Sequence, residues 1–158
     1  MIIENREKLK EIAEKLRKEG KKIVFTNGCF DILHYGHAEC LKKAKMLGDV
    51  LIVGINTDDS VRRIKGKERP INKLEHRMKV LDAIRYVDYV VPFNENTPEN
   101  LIRIIKPDVH VKGSDYKNKP IPERKIVESY GGKVVFVDLV EGISTTKIIE
   151  KIRKLRIS

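Results

Sequence analysis

The chain reads as a three-layer α/β/α protein built on a five-stranded parallel sheet, and three observations predict it. Short apolar runs of strand length alternate with helical stripes from one end to the other, the pattern of a parallel sheet with helices on both faces. One of those runs, Val50-Leu51-Ile52-Val53-Gly54-Ile55, is continuously apolar, as a strand covered on both faces must be. Helix start and stop residues (Gly20, Gly48, Thr97-Pro98, Gly131-Gly132 and Ser144) fall between the runs rather than within them.

Taken in order, Leu9, Ile12, Ala13 and Leu16 recur at helical spacing and Gly20 supplies a stop, so residues 1–20 form a leading helix. Ile23 to Thr26 is the first strand. Leu41, Ala44 and Leu47 place a helix after Gly36 that ends at Gly48, and Val50 to Ile55 is the second strand. Leu74, Met78, Leu81 and Ile84 form another helical stripe, followed by a third strand from Val87 to Val91. Thr97 as N-cap, Pro98 at the first helical position and Glu99 in the first turn start a helix that runs to about Lys106. Val109 to Val111 is a short strand, Pro122 to Tyr130 a helix, and Val134 to Val137 the fifth strand. Ser144 then caps a last helix carrying Ile148, Ile149, Ile152 and Leu155. The expected strand order is 3-2-1-4-5, a Rossmann-like arrangement in a single domain over residues 1–158. No repeat, low-complexity tract or linker interrupts it. Lys65 to Lys73 and Gly113 to Ile121 are the longest irregular stretches, and they are expected as mobile loops over a site at the carboxyl ends of the strands.

Composition narrows the function classes. Lys and Arg number 33 against 23 Asp and Glu, a formal charge of +10 that attracts anions such as nucleotides, sugar phosphates or nucleic acid. A salt-bridge-laced exterior rich in Lys and Glu accounts for part of that excess without any ligand. Aromatic residues make up only 6% of the chain, too few for the stacking platforms of a nucleic-acid-binding module, and no reading motif is present. Cys29 and Cys40 form neither a disulfide framework nor a zinc site by themselves. No apolar stretch approaches membrane-spanning length and the charged start (Glu4, Arg6, Glu7, Lys8) is not a signal segment, so a soluble cytoplasmic protein without membrane or nucleic-acid partners is expected.

The chemistry concentrates in His34-Tyr35-Gly36-His37, placed where the first strand hands over to a helix. A strand, a Gly-containing turn and a helix N-terminus present backbone N–H groups and a positive dipole end to phosphate. Gly36 lets that backbone approach a ligand closely, and two imidazoles can donate to a transferring phosphoryl group and its leaving oxygen. The plain alternative is a pair of helix-start histidines that cap the helix or face water. Two further segments fall at strand ends: Asn56-Thr57-Asp58-Asp59 after the second strand and Glu141-Gly142-Ile143-Ser144-Thr145-Thr146 after the fifth. The latter offers hydroxyls and free N–H groups at a helix start, a phosphate seat or an ordinary Ser/Thr cap.

Gly28-Cys29-Phe30-Asp31-Ile32-Leu33-His34-Tyr35-Gly36-His37 together with Ile143-Ser144-Thr145-Thr146 resembles the cytidylyltransferase-like nucleotidyltransferases, and among them the D-glycero-β-D-manno-heptose 1-phosphate adenylyltransferases. Arg69-Pro70-Ile71-Asn72-Lys73-Leu74-Glu75-His76-Arg77-Met78, Asn96-Thr97-Pro98-Glu99 and Val111-Lys112-Gly113-Ser114-Asp115-Tyr116 extend the likeness over nearly the whole chain from Lys22. The resemblance implies that His34 and His37 steady phosphates in the transition state, with Lys45 bridging nucleotide and acceptor phosphates. It implies that Gly28, Cys29, Phe30 and Gly36 meet the nucleotide, and that Asp31 either orients a histidine or fixes the turn. By the same likeness Glu141, Gly142, Ile143, Ser144, Thr145 and Thr146 wrap the ribose and phosphates, and Lys112 and Gly113 border base and ribose. Lys65, Arg69 and Arg77, with Asp58 from the second segment, are implied on the acceptor side. Without the resemblance Lys45 reads as an exposed helix lysine, and His76 and His110 read as structural.

The implied reaction joins ATP to a heptose 1-phosphate with release of pyrophosphate, Mg²⁺ entering with the nucleotide and no metal held by the protein. Arg85-Tyr86-Val87-Asp88 and the run from Glu141 to Ile148 are closer to glycerol-3-phosphate cytidylyltransferases. There the residue matching Arg85 touches the nucleotide, so CTP with a polyol phosphate is the alternative. Archaeal-type FAD synthetases are a more distant variant, and a non-catalytic basic nucleic-acid module is the reading from another class. A homodimer and a separate sugar kinase are the further partners that the resemblance implies.

Overall fold

The computed structural model describes residues 1–156 and contains one five-stranded, all-parallel sheet in the order β3-β2-β1-β4-β5. Its strands are β1 (Ile23–Gly28), β2 (Val50–Asn56), β3 (Tyr89–Phe93), β4 (Val109–Gly113) and β5 (Lys133–Val137). Seven α-helices accompany them among the described residues: α1 (Arg6–Lys18), α2 (Tyr35–Lys45), α3 (Asp58–Lys65), α4 (Leu74–Asp82), α5 (Glu99–Ile105), α6 (Arg124–Ser129) and α7 (Thr145–Arg153). The expected fold class and strand order are therefore the observed ones.

Alternation along the strands divides the core in two, because successive side chains point to opposite faces. Val24, Leu51, Val53 and Ile55 meet Leu41 and Ala44 of α2 and Met78 and Leu81 of α4 on one face. Ile23, Phe25 and Ile52 meet Leu9 of α1, Leu101, Ile102 and Ile105 of α5 and Val127 of α6 on the other. Asn5 caps α1 by accepting the Lys8 N–H at 3.0 Å. Gly20, with φ +72°, ends that helix through a 3.0 Å bond from the Lys21 N–H back to the Leu16 carbonyl.

Several boundaries depart from the sequence reading, each for a local reason. The third strand begins at Tyr89 instead of Val87, since Val87 closes the turn after α4 by donating its N–H to Ile84 O at 3.0 Å. The exposed edge of β3 is covered by the N-terminal segment: Ile3 N donates to Val90 O and Val90 N to Met1 O, both at 2.9 Å. Helix α3 was not anticipated, because only Ser60 and Val61 of its eight residues are buried and no apolar stripe can show at that length. Thr57 nevertheless caps it, accepting the Ser60 N–H at 3.3 Å. Helix α5 begins at Glu99, leaving Thr97 outside, and α6 is shorter than its Pro122–Tyr130 expectation.

The site follows from one feature of the sheet. Strand β1 pairs with β2 over six residues but with β4 only at Val24–Val109 and Phe25–His110. Beyond those pairs the neighbouring strands part, at the point where the strand order reverses, and a crevice opens at their carboxyl ends. Thr26 spans its base, its hydroxyl donating to Val111 O at 3.0 Å.

Candidate functional site

A cavity of about 620 Å³ occupies this crevice, within the size range of small-molecule sites. Its floor is the ends of β1 and β4 (Thr26, Asn27, Gly28; Val111, Lys112, Gly113), and one wall is the run Cys29, Phe30, Asp31, His34, Gly36 and His37 entering α2. Ile143, Ser144, Thr145 and Thr146 entering α7 form a second wall, and Lys65, Arg69, Asn96 and Thr97 a third. The histidine pair and the Ser-Thr-Thr seat thus converge on one space. Contact between them is direct: Thr145 Oγ1 reaches Ile32 O at 3.5 Å, and a Cβ on Gly36 would stand 3.3 Å from Ile143 Cγ2 and 2.9 Å from His34 Cε1. Gly36 is required by that crowding.

His34 and His37 both cap and line the cavity, so the two sequence alternatives hold together. His34 is the N-cap of α2, its Nδ1 accepting the Gly36 N–H at 3.1 Å, while His37 Nδ1 accepts the His34 N–H at 3.3 Å. An Nδ1 that accepts carries no proton, so each neutral ring is left with Nε2–H as its donor. Burial lowers the His34 pKa; burial and the neighbouring His34 push that of His37 down to about 4. Near neutral pH the rings are uncharged hydrogen-bond donors. They stack with centroids 3.9 Å apart, and the Phe30 ring lies 5.3 Å from that of His37. Phe30 adopts φ +48°, which folds its ring beneath Gly28; a Cβ there would approach the ring to 3.1 Å.

Asp31 fixes the turn rather than a histidine. Its buried carboxylate accepts the Ile71 and Asn72 N–H groups, both at 2.8 Å, and so docks the Lys65–Lys73 loop against the cavity. From that loop Arg69 reaches across to Thr146 Oγ1 at 3.4 Å. Lys65 and Arg69 make no ion pair among the described residues and give the cavity its free positive charge. At α7 the Ser144 hydroxyl accepts the Lys147 N–H at 3.1 Å, leaving the N–H groups of the first turn open. Burial raises the pKa of Cys29 and of Cys40, so both thiols stay protonated and unreactive.

Six residues expected at the site stand elsewhere. Lys45 lies at the far end of α2, where its Nζ pairs with Asp88 at 2.5 Å and donates to Asp49 O at 2.7 Å, beside the amino ends of the strands. Helix α2 starts at the cavity and runs for 11 residues, about 16 Å at the helical rise, which carries its last turn to the other end of the sheet. Arg85 is exposed in the turn before β3 at that same end, over the Tyr86 ring. Arg77 is wholly buried and spends its guanidinium on Asn72 O, Cys29 O, Asn56 O and Asp58 Oδ1, at 2.6 to 2.8 Å. It therefore clamps three loops with four of its five N–H donors, and the guanidinium, fully buried, does not line the cavity. Asp58, which also accepts the Leu74 N–H at 2.8 Å, belongs to that clamp. Glu141 and Gly142 are exposed in the turn before α7, Gly142 at φ +79°, and do not line the cavity.

Tyr116 and Ile121 line the cavity from the Gly113–Ile121 stretch expected over the site, though neither was named as a site residue, and Pro122, Glu123 and Leu139-Val140 after β5 line it without having been expected. Tyr116, an aromatic residue inside a Gly- and Pro-containing loop, was a usable signal. Glu123 was not, because an acid in a first helical turn looks like a helix-dipole partner.

The cytidylyltransferase-like family matches over residues 25–151. Similar curated proteins include the bifunctional protein HldE of Syntrophotalea carbinolica, 50% identical over 147 residues that make up 93% of this chain and 30% of that protein. The bifunctional protein HldE of Nitratiruptor sp. is 53% identical over 152 residues, 96% of this chain and 32% of that protein. The chain thus spans less than a third of the length of these relatives. Among solved structures, a lipopolysaccharide core biosynthesis protein of Thermoplasma volcanium superposes with a TM-score of 0.62 at 31% identity, covering 77% of this chain and 98% of that one. The pantoate-beta-alanine ligase of Francisella tularensis shares the fold alone, with a TM-score of 0.62 at 19% identity over 98% of this chain and 78% of that one. With the HxGH and Ser-Thr-Thr runs on one cavity and the family match spanning the sheet that carries them, the chain belongs to the cytidylyltransferase-like family of nucleotidyltransferases.

Proposed function

We propose that the protein transfers the nucleotidyl group of ATP to D-glycero-β-D-manno-heptose 1-phosphate, forming ADP-heptose and pyrophosphate. The observation that carries this reading is the meeting of His34, His37 and the α7 N-terminus around one cavity. The 50% and 53% identities to bifunctional HldE proteins, and the Thermoplasma protein named for lipopolysaccharide core biosynthesis, support the sugar-phosphate acceptor.

A sugar-phosphate oxygen attacks the α-phosphorus in line, the bond to the bridging oxygen breaks, and pyrophosphate leaves with the electron pair. A phosphate monoester is largely dianionic at neutral pH, so the attack needs no general base. Catalysis is positioning and charge stabilisation. The Nε2–H groups of His34 and His37 donate to the nucleotide phosphates, the N-termini of α2 and α7 supply backbone N–H groups, and Lys65 and Arg69 receive the acceptor phosphate. The nucleotide enters as its Mg²⁺ complex. The two carboxylates on the cavity wall are engaged by Ile71, Asn72, His110 and Lys112, so the ion would be held mainly by phosphate and water oxygens.

CTP with glycerol 3-phosphate is the second reading. The Glu141–Ile148 wording favours it, whereas Arg85, the other reason to consider it, stands at the opposite end of the sheet. A pyrophosphate-release screen crossing ATP and CTP with heptose 1-phosphate and glycerol 3-phosphate separates them; release with ATP and heptose 1-phosphate alone is expected. Release only with CTP and glycerol 3-phosphate would reverse the assignment. On this proposal a sugar kinase, as a separate activity, supplies the acceptor, and the enzyme works as a homodimer on small molecules. No helix among the described residues is long and apolar enough to cross a membrane.

A further inference from the structure

Behind the cavity lies a buried polar cluster that the proposed chemistry does not use. His110, fully buried on β4, stacks on Phe25 with centroids 5.4 Å apart and places its Nε2 2.9 Å from Glu123 Oε1. The same carboxylate oxygen stands 3.3 Å from Lys112 Nζ, and that ammonium lies 4.4 Å from the centre of the Tyr116 ring. His110 and Lys112 are two apart on one strand and so share a face. Glu123 ends the irregular segment that starts after Gly113, and Tyr116, Ile121 and Pro122 of that segment line the cavity with Lys112. The side chains of Lys112 and Glu123 are 11% and 3% exposed.

A buried carboxylate persists only with partners, and these partners tie a loop to the sheet. Glu123 feels burial, which raises its pKa, but the His110 hydrogen bond and the Lys112 charge outweigh it and hold the group at about 2. The Lys112 charge is thereby offset before any ligand arrives. A cation paired in this way adds little to a polyphosphate, whose charge falls to Lys65, Arg69 and the two helix N-termini, but its N–H groups remain donors.

We propose that Glu123 and His110 are positioning residues for nucleotide binding: they hold Lys112 against Tyr116 as a charge-offset donor to the neutral, nucleoside part of the nucleotide. This rests on the nucleotide reading of the cavity. The test uses the whole chain as Glu123→Gln, Lys112→Met and the double variant, with ATP, AMP and adenosine binding measured by calorimetry alongside steady-state kinetics. Each single change is expected to weaken all three ligands about tenfold and equally, to raise the ATP KM alike, and to leave kcat and the acceptor KM within about twofold. The double variant is expected to be no worse than Lys112→Met, because both act through one contact. His110→Gln, which keeps a donor near Glu123, is expected to recover most of the loss seen in His110→Ala. Selective loss of ATP over adenosine, multiplicative losses in the double variant, or a folded Glu123→Gln protein with unchanged affinity would overturn the inference alone. A wild-type protein that binds neither ATP nor CTP would overturn the nucleotide reading, and the inference with it.

Discussion

His34 and His37 are joined through the backbone they cap: the His34 N–H donates to His37 Nδ1 while His34 Nδ1 accepts from Gly36. This reciprocal cap consumes both Nδ1 atoms and leaves Nε2–H as the donor of each ring, the group that the proposed reaction would use. His34→Ala and His37→Ala are each expected to lower kcat by about 10²–10³-fold, the loss typical of one preorganised donor. Losing the cap should also cost about 1 kcal/mol of stability. Stopped-time pyrophosphate assays beside thermal melts measure both; a variant that turns over at the wild-type rate would count against the assignment.

The same geometry sets a pH dependence. The folded pKa values of His34, His37 and His110 all lie below the ordinary imidazole value of 6.5, so the unfolded chain binds more protons than the native one between that value and about 4, the level of His37. Stability is therefore full above pH 6.5 and declines as pH falls toward 4. Glu123, held at about 2, extends the loss below the ordinary Glu value of 4.5. Melting temperature across pH 4 to 8, with imidazole shifts followed by NMR in the free protein, measures this. An apparent His37 pKa above about 7 would contradict the neutral-donor mechanism.

Arg77 is expected to act through stability. The four hydrogen bonds of its buried guanidinium join the loops after β1 and β2 to the segment before α4. Arg77→Ala strands several carbonyls and the Asp58 carboxylate, at a cost of about 3–5 kcal/mol. Arg77→Lys, with a single point charge in place of a fork, should recover only part. Chemical denaturation reads the effect directly. A stable Arg77→Ala protein with a raised acceptor KM would return Arg77 to the substrate site.

Cations on and off the cavity should behave oppositely. Lys65→Ala and Arg69→Ala are expected to raise the acceptor KM about tenfold, more than the nucleotide KM, with melting unchanged. Lys45→Ala is expected to leave kcat within about twofold and cost about 1 kcal/mol at most, as its pair with Asp88 is partly exposed. A hundredfold loss of kcat in Lys45→Ala would place that residue back in the chemistry.

How much of this was legible depends on what each inference needed. Periodicity located all five strands, since β2 is buried on both faces and β1 alternates between two cores, and these patterns survive in one dimension. Helix α3 escaped because its existence rests on one threonine cap and two buried residues. Motif reading brought the histidines and the Ser-Thr-Thr run to strand ends that share one cavity, as both are local turns whose backbone geometry the nearby residues dictate.

Side-chain allegiance was another matter. Arg69 and Arg77 lie eight positions apart with the same charge, yet one faces the cavity and the other is sealed beneath it by three carbonyls and a carboxylate brought from distant segments. Lys45 and Lys65 each end a helix that starts at the carboxyl end of a strand, yet Lys65 lines the cavity while Lys45 pairs with Asp88 at the opposite end of the sheet. The sequence by itself determined the strand–helix alternation, the charge and the two turns that line the cavity, because these depend on contacts within a few residues. Tertiary structure alone decided which cations are free, which acids are consumed and how the sheet parts between β1 and β4, because each of these depends on groups that meet only after the chain has folded.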